Sequence, residues 1–130
     1  MTISFIATDK APAPFSNYSQ AVQVPPGART IHVSGQVGVS VSGKLPSDPE
    51  QQHELAWRNV FAILDAAGMD RNDIVDVRAF VTGHDQVPIY RIVRDRLLEG
   101  AKPASTLVVA GLADPDWLVE IAVTAAKVEF

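Results

Sequence analysis

The chain has 130 residues, 47% hydrophobic and 20% charged, with a formal net charge of -4 and no cysteine. That length suits one hydrophobic core, so a single domain over residues 1–130 is expected; no apolar run reaches the roughly 20 residues that cross a bilayer. The absence of cysteine excludes disulfides and thiolate catalysis, and the acidic balance argues against holding nucleic acid by neutralising phosphates.

Taken in chain order, residues 2–7 read as a first strand, and their short apolar patch (Ile3, Phe5, Ile6), with no basic residue ahead of it, does not read as a secretory signal. A cytoplasmic address is therefore expected. Residues 11–15 carry Pro12 and Pro14 and must be extended, and 18–24 form a second strand closed by Pro25-Pro26-Gly27. Residues 30–41 alternate, with Ile31, Val33, Val37, Val39 and Val41 on one parity; Gly35 and Gly38 mark a bulge or close approach where the alternation can change face. Asp48 as cap, Pro49 at the first helical position and Gln51 as capping-box partner start a helix that Gly68 ends. Its apolar stripe is Ala56, Val60, Ile63, Leu64 and Ala67, broadened by Trp57 and Phe61. Residues 73–82 are a strand and 85–98 a second helix with Ile89, Val93 and Leu97 inward, while Arg91, Arg94 and Arg96, interleaved with Asp95 and Glu99, read as a solvated face. Strands at 106–110 and 117–128 complete the chain.

The order β-β-β-α-β-α-β-β predicts an α+β fold, one mixed six-stranded sheet with both helices on one face. The other face, expected to be rich in Val and Ile, has no helix left to cover it, which predicts association into an oligomer with a barrel-like centre.

Few residues stand out chemically. There is no G-x-S-x-G, no G-x-G-x-x-G and no phosphate loop, since Gly43-Lys44 is followed by Leu45; His32, His53 and His84 lack ligand spacing, so neither a metal nor a cofactor is expected. Glu120 sits inside the last strand between Val119 and Ile121, either as an edge or intersubunit ion-pair residue or as a pocket acid that passes protons. Tyr18 either plugs the core or faces a ligand, and Ser34-Gly35-Gln36 is either a strand irregularity or a place where a ligand or subunit approaches the backbone.

The stretches Ala11-Pro12, Asn17-Tyr18-Ser19-Gln20-Ala21-Val22, Val33-Ser34-Gly35-Gln36, Asn59-Val60, Ile63-Leu64-Asp65-Ala66-Ala67-Gly68, Asp73-Ile74-Val75, Lys102-Pro103-Ala104 and Leu118-Val119-Glu120-Ile121, in this order and spacing, resemble the RidA/YjgF family, also called endoribonuclease L-PSP. The resemblance implies a chorismate-mutase-like fold, a homotrimer with a cleft at each subunit interface, and hydrolysis of enamines or imines such as 2-aminoacrylate to keto acids and ammonia. It implies that Tyr18 and Glu120 line the cleft, with Glu120 handling the attacking water and its proton. A backbone N–H near Leu107 would place that water or a substrate group.

The sequence departs from the family at Ser105, where active members carry an arginine that grips the substrate carboxylate. A hydroxyl replaces that cation poorly, by a penalty on the order of several kcal/mol, so 2-aminoacrylate activity is expected to be weak or absent. Arg78, on the same face of its strand as Phe80, is either a substitute cation in the cleft or an exposed or intersubunit ion-pair residue. Two functions follow: a C–N hydrolase using Glu120, or a non-catalytic trimer that binds a small metabolite in a neutral pocket around Ser105. Ribonuclease activity, carried only by the family's other name, ranks last against the acidic composition.

Overall fold

The computed structural model describes residues 1–129. Its strands are β1 (Ser4–Ile6), β2 (Ala21–Gln23), β3 (Arg29–Val37), β4 (Ile74–Val81), β5 (Ala104–Val109) and β6 (Val119–Lys127), with helices α1 (Pro49–Ala66) and α2 (Gln86–Leu98). The element order is the one the sequence predicts, with one addition, a short 3-10 turn at Arg71–Asp73 ahead of β4.

The six strands do not hydrogen-bond as one sheet. β1 and β2 form a two-stranded antiparallel ribbon, and the rest form a sheet in the order β3-β6-β4-β5. The two parts meet at one parallel bridge, Ser19 with Ala104, beside the outer edge of β5. Between β1 and β2, residues 11–15 carry Pro12 and Pro14, which cannot donate to a ladder, and they lie outside the strands.

β3 and β4 both run antiparallel to β6, and β4 pairs in parallel with β5. Each parallel relation needs a crossover, and α1 and α2 supply them. Both helices cover the same face. Val33 of β3, Val77, Ala79 and Val81 of β4, and Val119, Ile121 and Val123 of β6 form one buried cluster with Trp57, Val60 and Leu64 of α1 and Tyr90 and Val93 of α2.

The opposite face corrects the sequence-based picture. It carries His32, Thr124, Asp76, Ala122, Arg78, Thr106, Glu120, Phe80 and Val108, as the cross-strand register requires. Most of the Val and Ile residues lie under the helices instead, so the uncovered face is mixed rather than apolar.

Helix α1 begins as its sequence indicates. The Asp48 carboxylate accepts from Gln51 N at 3.0 Å, although no return bond from the Gln51 side chain is among the described contacts. At its end Gly68 N donates to Asp65 O and Met69 N to Leu64 O, both at 2.9 Å, with Gly68 at φ +72°. This is a Schellman termination, which needs a left-handed residue. The buried stripe of α1 is rotated from the predicted one: His53, Ala56, Trp57, Val60 and Leu64 are buried, while Ile63 is 38% exposed.

Strand β3 stops at Val37, short of the predicted residue 41, and Val41 is fully exposed. Gly38 accounts for the stop. A Cβ there would lie 2.7 Å from Gln52 Cα, so the chain turns against α1 and leaves the sheet. Asn59 secures the turn by donating to Val37 O at 3.0 Å and Val39 O at 2.9 Å.

Candidate active site

The register of β3 slips between Val33 and Gln36, so the face change expected at Gly35 is present as a bulge. Val33 is buried under α1, yet Val37 pairs with Glu120 on the uncovered face. The bulge places Gly35 beneath Glu120. A Cβ built on Gly35 would collide with Glu120 Oε2 and come within 2.7 Å of Cδ, so the carboxylate rests directly on the glycine backbone. Ser34, exposed, flanks this contact.

Phe80 is directly opposite Glu120 across the β4–β6 ladder, and Arg78 is opposite Ala122, one step along. Glu120, Phe80 and Arg78 thus share the helix-free face with the Ser34-Gly35 bulge. The Arg78 guanidinium donates to Asp76 on its own strand at 3.1 Å and its side chain is 47% exposed. Both readings of Arg78 keep some footing: it is ion-paired, and it faces the same side as the acid.

Tyr18, Ser105 and Leu107 lie elsewhere. Ser105 pairs with Val77 and Leu107 with Ala79, whose side chains are buried under the helices, so both project toward α2. They line a groove of about 290 Å³ with Phe15, Ser16, Tyr18, Val109 and, from α2, Val87, Arg91 and Arg94. Two larger hollows, of about 480 and 340 Å³, contain none of the candidate catalytic or substrate-binding residues.

The groove has an evident construction. Residues 87, 91 and 94 are spaced by four and three, so they fall on one helix face, while 105, 107 and 109 alternate along the edge strand. The segment carrying Tyr18 closes one end and is held from several directions. Ser19 N donates to Pro103 O at 3.1 Å, and Ser19 Oγ donates to Lys102 O. Phe15 N donates to Tyr18 Oη at 3.1 Å. Gln20, two residues on, accepts from Thr8 N at 2.6 Å and donates to Pro12 O at 2.9 Å, stapling the extended N-terminal arm.

Arg94 contradicts the solvated-face reading of the arginine cluster. Its side chain is 4% exposed, with Nε and Nη2 donating to Asp95 Oδ1 at 3.1 and 2.9 Å and Nη2 also to Ser16 Oγ at 2.6 Å. Its guanidinium lies over the Tyr90 ring, 5.5 Å from the centroid. Arg96 does lie on the exposed side, bridging Glu50 and Glu54 of α1. Burial pushes the Tyr90 phenol up to about 12, with the Arg94 charge opposing the rise. The Tyr90 hydroxyl has no described hydrogen-bond partner of good geometry, although it neighbours Ser105.

The sequence-predicted residues therefore fall into two groups on opposite faces of one sheet: Glu120, Ser34, Gly35, Phe80 and Arg78 on the open face, and Tyr18, Ser105 and Leu107 in the groove beside α2. Arg91 and Arg94 were missed as site residues, though the 87/91/94 spacing with Ser105 one strand away was available to find them.

An α+β sheet with two helices on one face and strand order β3-β6-β4-β5 defines the chorismate-mutase-like class. Within that class the chain belongs to the endoribonuclease L-PSP family, the RidA/YjgF family, whose model matches residues 8–127. It is 34% identical to a 2-iminobutanoate/2-iminopropanoate deaminase of Dermatophagoides farinae over 82% of this chain and 84% of the other. It is 38% identical to the protein of the same name from Mus musculus, over 76% and 73%. Among solved structures, YyfB of Yersinia pestis, of the conserved Rid protein family and unknown function, matches with TM-score 0.80 and 30% identity over 98% and 100% of the two chains. RidA of an Antarctic Psychrobacter matches at 0.72 and 31% over 95% and 99%.

Proposed function

We propose that this protein hydrolyses an enamine or imine to a carbonyl compound and ammonia, at a cleft formed between copies of the chain. The observation that carries the reading is the Glu120 carboxylate seated on Gly35, an acid held in place by a bulge with Phe80 across from it. An enamine first tautomerises to its imine. Glu120 then takes a proton from water as the oxygen bonds to the imine carbon and passes it to the nitrogen, giving a carbinolamine; it next moves the hydroxyl proton to the amine, so that the C–N bond breaks with its electron pair leaving on ammonia and a C=O bond forms. The deaminase names of the relatives support the same reaction class.

A second copy would bring together Glu120 and the Tyr18–Ser105–Leu107 groove, which face opposite sides of one sheet within a chain. β5 is an edge strand whose outer side is unpaired beyond the Ser19–Ala104 bridge, with Val108 and Val109 39% and 38% exposed. Such an edge, carrying free backbone donors near Leu107, is suited to meeting another subunit. A homotrimer with three such clefts accords with this arrangement.

Ser105 leaves β5 without a cation, so substrates bearing a carboxylate, 2-aminoacrylate included, are turned over more slowly than by an arginine-bearing site. The test is ammonia release from freshly generated 2-aminoacrylate and 2-iminobutanoate. Turnover should fall at least about a hundredfold in Glu120→Gln and rise in Ser105→Arg. Unchanged turnover in Glu120→Gln would remove this reading. RNA cleaved in proportion to enzyme and spared by the same variant would replace it.

A further inference from the structure

We infer that α2, through Arg91 and Arg94, carries an anion-binding subsite for the carboxylate of a small 2-keto or 2-imino acid, taking over from the missing cation on β5. The inference rests on the proposed hydrolase reading for its choice of ligand, but its geometry stands on the groove alone.

The nine residues lining the groove include two arginines and no acid. Arg91 makes no ion pair among the described residues, and Arg94 is balanced only by its neighbour Asp95, so the groove keeps a net positive charge. The Arg94 fork is already oriented: Nε and Nη2 are fixed by Asp95 and Ser16, and the plane rests over Tyr90. Nη1 makes no bond to a carboxylate among the described residues; the Tyr90 hydroxyl, which also neighbours Ser105, is a neutral group beside this guanidinium, so the buried, immobilised cation keeps donor capacity for an anion. A guanidinium whose position is set before binding loses little freedom when an anion arrives, and the surrounding apolar wall of Val87, Leu107 and Val109 strengthens the attraction. The Ser105 hydroxyl adds a neutral donor on the facing strand.

Arg78 is the competing cation. Within one chain it points to the opposite side of the sheet from Ser105; on a second copy it shares Glu120's face, but there it already pairs with Asp76 at 3.1 Å.

The test uses the whole protein and a ligand that does not react. Calorimetric titration with 2-oxobutanoate is compared in the native chain, Arg91→Gln, Arg94→Lys, Arg78→Gln and, as a control, Arg96→Gln. Binding should weaken on the order of tenfold or more in Arg91→Gln and Arg94→Lys, stay unchanged in Arg96→Gln, and weaken less in Arg78→Gln than in Arg91→Gln. Thermal melts check that each variant is folded; Arg91 is exposed, so Arg91→Gln carries the result if Arg94→Lys fails to fold. No binding to the native chain, equal binding in Arg91→Gln, or a loss confined to Arg78→Gln would overturn the inference. Failure of the hydrolase reading is separate, because keto-acid binding that follows Arg91 would persist even where no ammonia is released.

Discussion

Gly35 cannot carry a side chain while Glu120 keeps its position, since a Cβ would collide with the carboxylate. Gly35→Ala should destabilise the fold by about 1–3 kcal/mol or push Glu120 aside, and either way turnover should drop; urea unfolding and the ammonia assay measure the two effects. His53 supplies a second residue-scale prediction. It is buried, with Nε2 3.0 Å from Gln86 Oε1 and Nδ1 without a partner, and burial holds its pKa below 6.5. As pH falls through about 6.5 the unfolded chain binds a proton that the folded chain still refuses, so stability declines over that window and levels off below the folded pKa. Stability carried by neutral His53 is therefore present above pH 6.5. The melting temperature should fall between about pH 7.5 and about pH 5.5, and less steeply in His53→Gln. Glu120 and Tyr18 could be picked out from sequence by residue type and context, and Ser105 through the family resemblance, whereas the Gly35–Glu120 contact could not, because the two are distant in sequence and meet only through the slipped β3–β6 register.

At the scale of elements, Gly68→Ala should cost about 1–2 kcal/mol in chemical denaturation, because the Schellman end of α1 holds residue 68 at φ +72°. That end was legible from Gly68 following an apolar stripe, as was the start from Asp48 and Pro49. The rotation of the stripe was not, since Ile63 and Trp57 are both apolar and only packing against the sheet and α2 decides which turns inward. The same uncertainty of phase explains Arg94. Periodicity marked Ile89, Val93 and Leu97; Val93 and Leu97 are buried and Ile89 packs against the core, but α2 also buries Gln86, Tyr90, Arg94 and Leu98, bringing a charged residue under Tyr18's segment. The ion pair with Asp95 within the helix and the hydrogen bond donated to Ser16 Oγ make that burial tolerable.

For the whole molecule, the decisive feature is that the acid and the groove occupy opposite faces of one sheet. Co-assembled Glu120→Gln and Tyr18→Ala chains, each inactive by itself, should regain part of the turnover, because a mixed cleft can take the acid from one copy and the groove from another. No recovery, in particles whose mass by light scattering is three chains, would place the whole site within a single chain. Removing the groove's net charge by Arg91→Gln should also flatten the dependence of keto-acid binding on salt, since screening acts only on charge that remains.

The sequence by itself determined the element order, both ends of α1, an irregularity of β3 at Gly35 and Gly38, and the family to which the chain belongs. Each is a local matter of period, cap or turn chemistry, or a pattern of short motifs. Tertiary structure decided the division of the six strands into ribbon and sheet, the mixed character of the uncovered face, and the partition of the site residues between two sides. It also decided that the groove left without arginine on β5 has two on α2. These outcomes depend on cross-strand register and helix phase, which are set by packing the whole core and are not encoded in any one segment.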